Sequence, residues 1–198
     1  MPRRPTLVVI AGPNGAGKST TAPFLLRDEL AVTEFVNADQ IAAGLSGFSP
    51  DAVALAAGRV MLARLSDLLR GGADFGFEST LASRSLATFV GRARRAGYRF
   101  VLLYLWLESP AQASARIALR VRTGGHGIPP EVVDRRYVRS LENFFRLYRP
   151  LADAWRFYDN SRDFSPRLVA IGQRLRATKV RNAKLWQRLR ATYDEAKA

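Results

Sequence analysis

The chain has 198 residues, a formal net charge of +14 and no cysteine. This length fits one domain, and hydrophobic residues, at 47%, suffice for a core. The absence of cysteine excludes disulfides and thiolate metal sites, and it fits a cytoplasmic protein. Its apolar runs are shorter than about 18 residues, which excludes a transmembrane helix, and the excess of arginine favours anionic partners: nucleotides, sugar nucleotides, nucleic acids or an acidic protein.

The first elements in chain order are a strand, a glycine-rich loop and the start of a helix. Residues 7–10 are typical of a buried parallel strand, and residues 12–19, GPNGAGKS, match the P-loop pattern in the context that it requires. Such a loop binds phosphates through backbone N–H groups and the helix dipole, with Lys18 reaching the β- and γ-phosphates and Ser19 ligating Mg²⁺. We therefore predict ATP and Mg²⁺ as cofactors. The predicted nucleotide-binding residues are Gly12, Pro13, Asn14, Gly15, Ala16, Gly17, Lys18, Ser19 and Thr20.

Strands continue to alternate with helices, which predicts an α/β fold: a P-loop NTPase/kinase-like parallel sheet flanked by helices on both faces. The predicted strands lie in residues 34–39, 75–78, 98–107, 156–161 and 167–172. The predicted helices lie in residues 49–72 (capped by Ser49), 83–97, 109–121, 130–148 and 173–198. We expect one kinase domain over residues 1–172, with a helical lid at about 110–148, and a basic C-terminal helix over 173–198.

Asp39 ends the segment 34–39 and is the first candidate for chemistry. In open α/β sheets the C-terminal ends of the strands form the ligand crevice. A carboxylate there can accept the proton of a substrate hydroxyl that attacks the γ-phosphate, and such general-base help is worth about 10²–10⁴ in rate. The alternative is that Asp39 only caps the helix that follows it.

Glu78 ends the next predicted strand and is followed by two hydroxyl side chains. A carboxylate at this point of a P-loop protein commonly orders Mg²⁺ or its waters, so Ser19 and Glu78 are the predicted metal residues. Ser79 and Thr80 are candidates for binding substrate hydroxyls. The alternative is that these residues form a capping cluster before the next helix.

Arginines cluster on both sides of the loop at residues 122–130, RTGGHGIPP. Arg116 and Arg120 are spaced i and i+4 on one helix face, and Arg122 precedes the glycine loop. The next predicted helix begins with Arg135, Arg136 and Arg139. Two arginine-bearing helices suit a mobile lid, because arginine stabilises negative charge on a transferring phosphoryl group. The alternative is a solvated helical hairpin.

Three further features each permit two interpretations. His126 lacks the neighbours that a metal site needs and fits a loop or substrate contact better. Asp159 and Asn160 form either a turn or a contact to the adenine edge or the lid. The basic C-terminal helix, with Trp186 and Leu189 at helical spacing, either packs on the domain or binds nucleic acid or an acidic partner.

Together these segments resemble the zeta toxin family, whose members are P-loop kinases related in fold to small-molecule phosphotransferases. The resemblance covers about residues 5–172. It is carried by GPNGAGKST at 12–20, FVNAD at 35–39, FESTLA at 77–82, the long segment 98–144 that contains GGHGIP, and DNS at 159–161.

The resemblance implies an activity and a role for several residues. Members of the family transfer the ATP γ-phosphate to a hydroxyl, and the best-understood toxins phosphorylate UDP-N-acetylglucosamine at its sugar 3′-hydroxyl. It implies that Asp39 is the base, that Lys18 is the P-loop lysine and that Glu78 lies near substrate and metal. The positions that match the two lid arginines of the family are Arg122 and either Arg135 or Arg136, with Arg120 as a competitor.

The resemblance also bears on substrate and partners. It implies a small acceptor, a sugar nucleotide above all, and a toxin–antitoxin pair in which the antitoxin is a separate, acidic protein. Three alternatives stay open: a kinase of another small molecule, a kinase of a nucleic-acid end, and a nucleotide-dependent binding module without turnover.

Overall fold

The structure is a computed structural model that describes residues 3–47, 50–123, 127–163 and 165–194. Its strands are β1 (Thr6–Ala11), β2 (Glu34–Val36), β3 (Phe75–Ser79), β4 (Arg99–Trp106), β5 (Ala154–Asp159), β6 (Arg167–Gln173) and β7 (Arg176–Val180). Within the described residues they form one sheet in the order β2-β3-β1-β4-β5-β6-β7.

Helices fill most of the segments between the strands. They are α1 (Lys18–Ala22), α2 (Ala38–Leu45), α3 (Ala54–Arg70), α4 (Ser85–Arg95), α5 (Pro110–Arg122), α6 (Pro130–Asn143) and α7 (Ala183–Tyr193). Short π-helical turns at Pro23–Asp28 and Phe144–Tyr148 continue α1 and α6, and 3₁₀ turns lie at Pro50–Val53 and Arg149–Leu151. None of the helices in the described part of the chain is long and apolar enough to span a bilayer.

The α/β prediction is confirmed, with one correction to the direction of the strands. β1 to β5 are parallel, whereas β6 pairs antiparallel with both β5 and β7. Only Arg174 and Leu175 connect β6 to β7, and so short a connection permits only an antiparallel hairpin. The sheet is therefore mixed rather than wholly parallel.

The predicted C-terminal helix over residues 173–198 is wrong in its first part. Residues 176–180, RATKV, form β7, the exposed last strand of the sheet, and the β-branched Thr178 and Val180 favour this conformation. The helix begins only at Ala183, where the Asn182 side chain accepts a hydrogen bond from the backbone of Leu185. Positive side chains on β7 suit an edge strand, because they hinder pairing with another chain.

α7 packs on the sheet, as one of the two interpretations of the C-terminal segment required. Trp186 and Leu189 are buried. The Trp186 ring stacks on Trp155 of β5, with ring centres 5.2 Å apart and planes 20° apart, and it meets Phe157 edge-on at 5.6 Å. Aromatic burial of this kind makes α7 part of the domain core.

Helices cover both faces of the sheet. On one face Phe89 of α4 contacts Phe75 and Phe77 of β3 edge-on. On the other face Leu26 lies against Gly76, where a Cβ would be 3.0 Å from a Leu26 methyl group. Because strand side chains alternate between faces, these neighbouring positions of β3 separate the two helical layers.

The last part of the predicted lid lies in the core. Tyr137, Leu141 and Tyr148 are all buried, and the Tyr137 hydroxyl donates to the carbonyl oxygen of Leu107 over 2.6 Å. Any lid movement within residues 110–148 therefore has to exclude this part. The predictions for Ser49 and His126 lie outside the described residues.

Candidate active site

The P-loop turns tightly between β1 and α1 because its glycines allow close approach. Gly12 has φ of +143°, and a Cβ there would lie 2.2 Å from the carbonyl oxygen of Leu105 in β4. Gly17 has φ of +79°, and a Cβ there would lie 2.9 Å from Nδ2 of Asn160. Both positions need glycine for conformation and for space. The spacing of glycines in the motif is thus set by β4 and by the residue that follows β5, as well as by the loop itself.

Lys18 is held inside the loop that it follows. Its side chain is 6% exposed, its Nζ donates to the carbonyl oxygen of Pro13 over 3.0 Å, and the same atom lies 3.7 Å from Oε1 of Glu78. Burial lowers the pKa of Lys18, while the carboxylates of Glu78 and Asp39 oppose that shift. The ammonium group is therefore positioned before any phosphate arrives.

Ser19 and Glu78, the two predicted metal residues, are in direct contact. The Ser19 hydroxyl donates to Oε2 of Glu78 over 2.6 Å, and Nδ2 of Asn37 donates to the same oxygen over 2.9 Å. Two adjacent oxygen ligands fit Mg²⁺, which binds through one or two protein oxygens and completes its shell with water and phosphate. The described residues contain no group of three or more His, Cys, Asp or Glu that could hold a metal by themselves.

Asp39 lies in the first turn of α2, and another residue caps that helix. Oδ1 of Asn37 accepts hydrogen bonds from the backbone N–H groups of Asp39 and Gln40, at 2.8 and 3.3 Å. The Asp39 side chain is exposed and lines the same cavity as Lys18. The alternative interpretation of Asp39 as the cap of α2 is therefore wrong.

A cavity of about 390 Å³ unites these residues. The P-loop forms one wall, Asp39 and Glu78 form the second, and Arg116, Leu119 and Arg120 of α5 form the third. Phosphate-binding backbone, two carboxylates and two guanidinium groups thus face one space. This is the charge pattern that a phosphoryl-transfer site requires.

The structure brings only some of the candidate arginines to this cavity. Arg116 and Arg120 line it, but Arg122, Arg135 and Arg136 are not among the described residues that do so. Side chains two positions apart on a helix point to different sides, so Arg122 cannot share the face of Arg120. The lid roles of Arg122, Arg135 and Arg136 stay predictions.

Ser79 and Thr80 make local hydrogen bonds. The Ser79 hydroxyl accepts from the backbone of Leu81 over 3.0 Å, and the Thr80 hydroxyl accepts from the backbone of Ala82 over 3.3 Å. Neither residue is among the described lining residues of the cavity. They shape the loop after β3, and their contact with substrate hydroxyls stays a prediction.

Two asparagines support the site. No role was predicted for Asn37, and for Asn160 the prediction left open a turn or a contact to the adenine edge or the lid. Asn37 could have been found, because an Asn before a helical pattern is a typical N-cap. Asn160 is 1% exposed, and its Nδ2 donates over 2.8 Å to the carbonyl oxygen of Ala16, 144 positions away. Asp159 forms a turn, in which Oδ1 accepts from the backbone of Ser161.

Comparisons with known proteins agree with this architecture. A family model described as an AAA domain matches residues 7–147. An uncharacterized protein of Haemophilus influenzae (strain ATCC 51907 / DSM 11121 / KW20 / Rd) is 30% identical over 130 residues, which is 66% of this chain and 91% of that protein.

Several solved structures share the fold. A chain of the AvrRxo1-ORF1:-ORF2 complex with ATP has a TM-score of 0.74 at 19% identity, over 94% of this chain and 63% of that one, so this chain spans less than two thirds of its length. A chain from the structure of the PezAT toxin-antitoxin system of Streptococcus pneumoniae has a TM-score of 0.67 at 14% identity, over 98% of this chain and 86% of that one. Shikimate kinase from Acinetobacter baumannii in complex with shikimate has a TM-score of 0.51 at 14% identity, over 98% of this chain and 96% of that one. The fold is that of P-loop kinases.

Proposed function

The chain belongs to the AAA domain family, and from that premise we propose that it is an ATP-dependent phosphotransferase. It moves the γ-phosphate of ATP to a hydroxyl of a small acceptor. One observation carries the proposal: the P-loop lysine, the Ser19–Glu78 pair and the exposed carboxylate of Asp39 face one cavity. A carboxylate in this position can accept the proton of an acceptor hydroxyl, a step that nucleotide binding alone does not involve.

The P-loop and Lys18 bind the phosphates of ATP in this proposal. Lys18 exchanges its contact with Pro13 for phosphate oxygens, and the loop N–H groups supply further donors. Ser19 and Glu78 would hold Mg²⁺, which neutralises charge on the phosphate oxygens when bound. Because these donors are in place beforehand, they need little rearrangement during the reaction.

Asp39 acts as the general base. The acceptor hydroxyl oxygen attacks the γ-phosphorus, the bond from that phosphorus to the β–γ bridging oxygen breaks, and ADP leaves. The proton of the hydroxyl passes to the Asp39 carboxylate. Arg116 and Arg120, which line the opposite wall, stabilise the charge on the transferring group, and Arg122 with Arg135 or Arg136 would add to this if the lid closes.

The acceptor that we favour is a UDP-amino sugar, and the protein would be the toxin of a toxin–antitoxin pair. The resemblance to zeta toxins supports this, and so does a fold shared with a structure of the PezAT toxin-antitoxin system. The net charge of +14 suits an acidic antitoxin. A cytoplasmic location stays a prediction from the absence of cysteine.

Mass spectrometry tests the reaction with purified protein, Mg·ATP and UDP-N-acetylglucosamine. We expect a gain of one phosphate on the sugar nucleotide with the parent, and a loss of about 10²–10⁴-fold in transfer with Asp39→Asn at unchanged ATP affinity. The matched control is Asp67→Asn, because Asp67 pairs only with Arg70 on the α3 surface among the described residues.

Other outcomes separate the alternatives. Full turnover by Asp39→Asn would remove Asp39 as the base. ADP without a modified sugar would indicate another acceptor, such as a different small molecule or a nucleic-acid end. Bound ATP without any ADP would indicate a binding module.

A further inference from the structure

Asn37 is bonded at both ends of its side chain, and the two ends reach different parts of the active site. Oδ1 accepts from the backbone N–H groups of Asp39 and Gln40 at the start of α2. Nδ2 donates to Oε2 of Glu78 over 2.9 Å and to the Ser19 hydroxyl oxygen over 3.4 Å. One buried amide thus joins the predicted metal residues to the helix turn that carries the candidate base.

The sheet places Asn37 beside Glu78. β2 and β3 pair in parallel, with Val36 opposite Phe77. Asn37 and Glu78 come one position later in the chain, so they lie side by side at the carboxyl ends of the two strands. Because β2 ends at Val36 and α2 begins at Ala38, the position of Asn37 is set by the sheet on one side and by the helix on the other.

The two contacts require a side chain that accepts at one atom and donates at another. Oδ1 faces two N–H groups and Nδ2 faces a carboxylate, so one orientation of the amide satisfies both ends. Aspartate at this position would cap α2 equally well, but it would bring a second carboxylate against Glu78. Serine would also cap α2, but its side chain is shorter and has no NH₂ group to donate. Capping alone therefore accepts all three residues, whereas the contact with Glu78 requires the amide.

This link sets the distance between the metal residues and the base. Asp39 is held through its own backbone N–H at 2.8 Å, and it lines the same cavity as Ser19 and Glu78. In the proposed reaction Ser19 and Glu78 would hold Mg²⁺, which orders the γ-phosphate when bound. A misplacement of about 1 Å between reacting groups can cost about 10²-fold in rate. A side chain that ties these groups together therefore contributes both to metal binding and to the rate of transfer.

We propose that Asn37 is a positioning residue: its amide holds Glu78 in place for Mg²⁺ and keeps Asp39 at a fixed distance from it. The effect on transfer rests on the proposed function. The effect on metal binding needs no acceptor, so it can be measured separately.

Calorimetry of ADP binding tests the link without turnover. The quantity is the Mg²⁺ gain, which is the factor by which Mg²⁺ strengthens ADP binding relative to EDTA. We expect Asn37→Ser to lower this gain about tenfold, a typical loss for the outer partner of a metal ligand, and to keep the affinity for ADP in EDTA. Serine preserves the cap, so this variant should melt close to the parent, whereas Asn37→Ala loses both contacts and should also melt at a lower temperature.

Asn182 offers a matched control. It caps α7 in the same way, since Oδ1 accepts from the backbone N–H of Leu185 over 3.1 Å, and it is not among the described lining residues of the nucleotide cavity. We expect Asn182→Ser and Asn182→Ala to leave the Mg²⁺ gain and the transfer rate unchanged. An equal loss of gain in Asn182→Ser would attribute the effect to helix capping and overturn the proposal.

Transfer kinetics test the position of Asp39. With UDP-N-acetylglucosamine and saturating Mg·ATP, we expect Asn37→Ser to lower kcat about 10- to 100-fold. KM for the acceptor should stay within about twofold, because the substitution removes no group that binds it. KM for Mg·ATP should rise in step with the lost Mg²⁺ gain.

The outcomes separate this inference from the proposed function. An equal Mg²⁺ gain in the parent and Asn37→Ser, which includes the absence of a gain in both, overturns the link between Asn37 and Glu78. A lost gain with an unchanged kcat overturns the positioning of Asp39. If the parent phosphorylates no acceptor but Asn37→Ser still loses the gain, the proposed function fails and the link stands.

Discussion

Two of the three walls of the nucleotide cavity, the P-loop wall and the α5 wall, differ in how deeply they are buried. On the P-loop side Lys18, Asn37 and Asn160 are 6%, 4% and 1% exposed. Lys18 and Asn160 donate to backbone oxygens of the P-loop, and Asn37 donates to Glu78 of β3. On the α5 side Leu119 is 55% exposed, and Arg116 and Arg120 are half-buried. The P-loop wall is buried, whereas the α5 wall belongs to a helix with one buried face and one exposed face.

This difference indicates how each wall contributes. Buried donors act in a medium of low polarity, where one misplaced or missing group is costly. Arg116 and Arg120 are only half-buried, so water and salt screen part of their charge. Substitutions in the P-loop wall should therefore reduce activity more than substitutions in the α5 wall, and the following variants test that order.

Lys18→Ala should have the largest effect. We expect kcat/KM for ATP turnover to fall by about 10²–10³-fold, the usual loss when one preorganised donor to a transition-state charge is removed. Steady-state ADP release measures this. Lys184→Ala, at an exposed position of α7, is the control and should be unchanged. Comparable turnover in the two variants would show that the buried wall is not the stronger one.

Glu78→Gln should weaken metal binding. The amide keeps the size of the side chain and can still accept from Ser19, but it removes the negative charge. We expect the Mg²⁺ concentration for half-maximal activity to rise by about 10- to 100-fold. Glu34→Gln, whose carboxylate pairs with Arg64 at the surface, should not change it. An unaltered Mg²⁺ dependence in Glu78→Gln would place the metal elsewhere.

Asn160→Ala should destabilise the P-loop, because it removes a buried hydrogen bond to the loop backbone. The variant leaves the carbonyl oxygen of Ala16 without its 2.8 Å hydrogen bond, which should cost about 1–3 kcal/mol in the free energy of unfolding and weaken ATP binding. Asn143→Ala loses a comparable bond to Leu81 and is the control. It should lower stability and leave ATP affinity unchanged, so equal ATP affinity in both variants would contradict the role of Asn160.

The sequence predicted the P-loop wall better than the α5 wall, for a physical reason. The P-loop, Asp39 and Glu78 follow local patterns, and the rule that parallel strands end at one edge places them together. The contact of Asn160 with Ala16 joins positions 144 residues apart, which no local pattern reveals. β7 was not predicted, because a short strand of mostly polar residues in a basic segment has the same composition as a polar helix.

The direction of the arginines could be predicted only in part. Helical spacing placed Arg116 and Arg120 on one face of α5, and the structure confirms that both line the cavity. Spacing does not say which face of a helix points inward, because that depends on packing. Ala113 decides it here: its carbonyl oxygen would be 2.8 Å from a Cβ at Gly15, so this face of α5 meets the P-loop.

Arg120→Gln and Arg122→Gln compare a position of α5 that lines the cavity with one that does not, and they should have the smallest effects. We expect kcat/KM to fall about tenfold for Arg120→Gln and to stay within about twofold for Arg122→Gln, because only Arg120 of the two lines the cavity. Raising the ionic strength should reduce the difference in kcat/KM between the two variants, since salt screens a charge near the surface. A larger loss in Arg122→Gln would mean that α5 turns or its end folds inward during the reaction, and the lid arginines matched to the zeta toxins would then act only in a closed state.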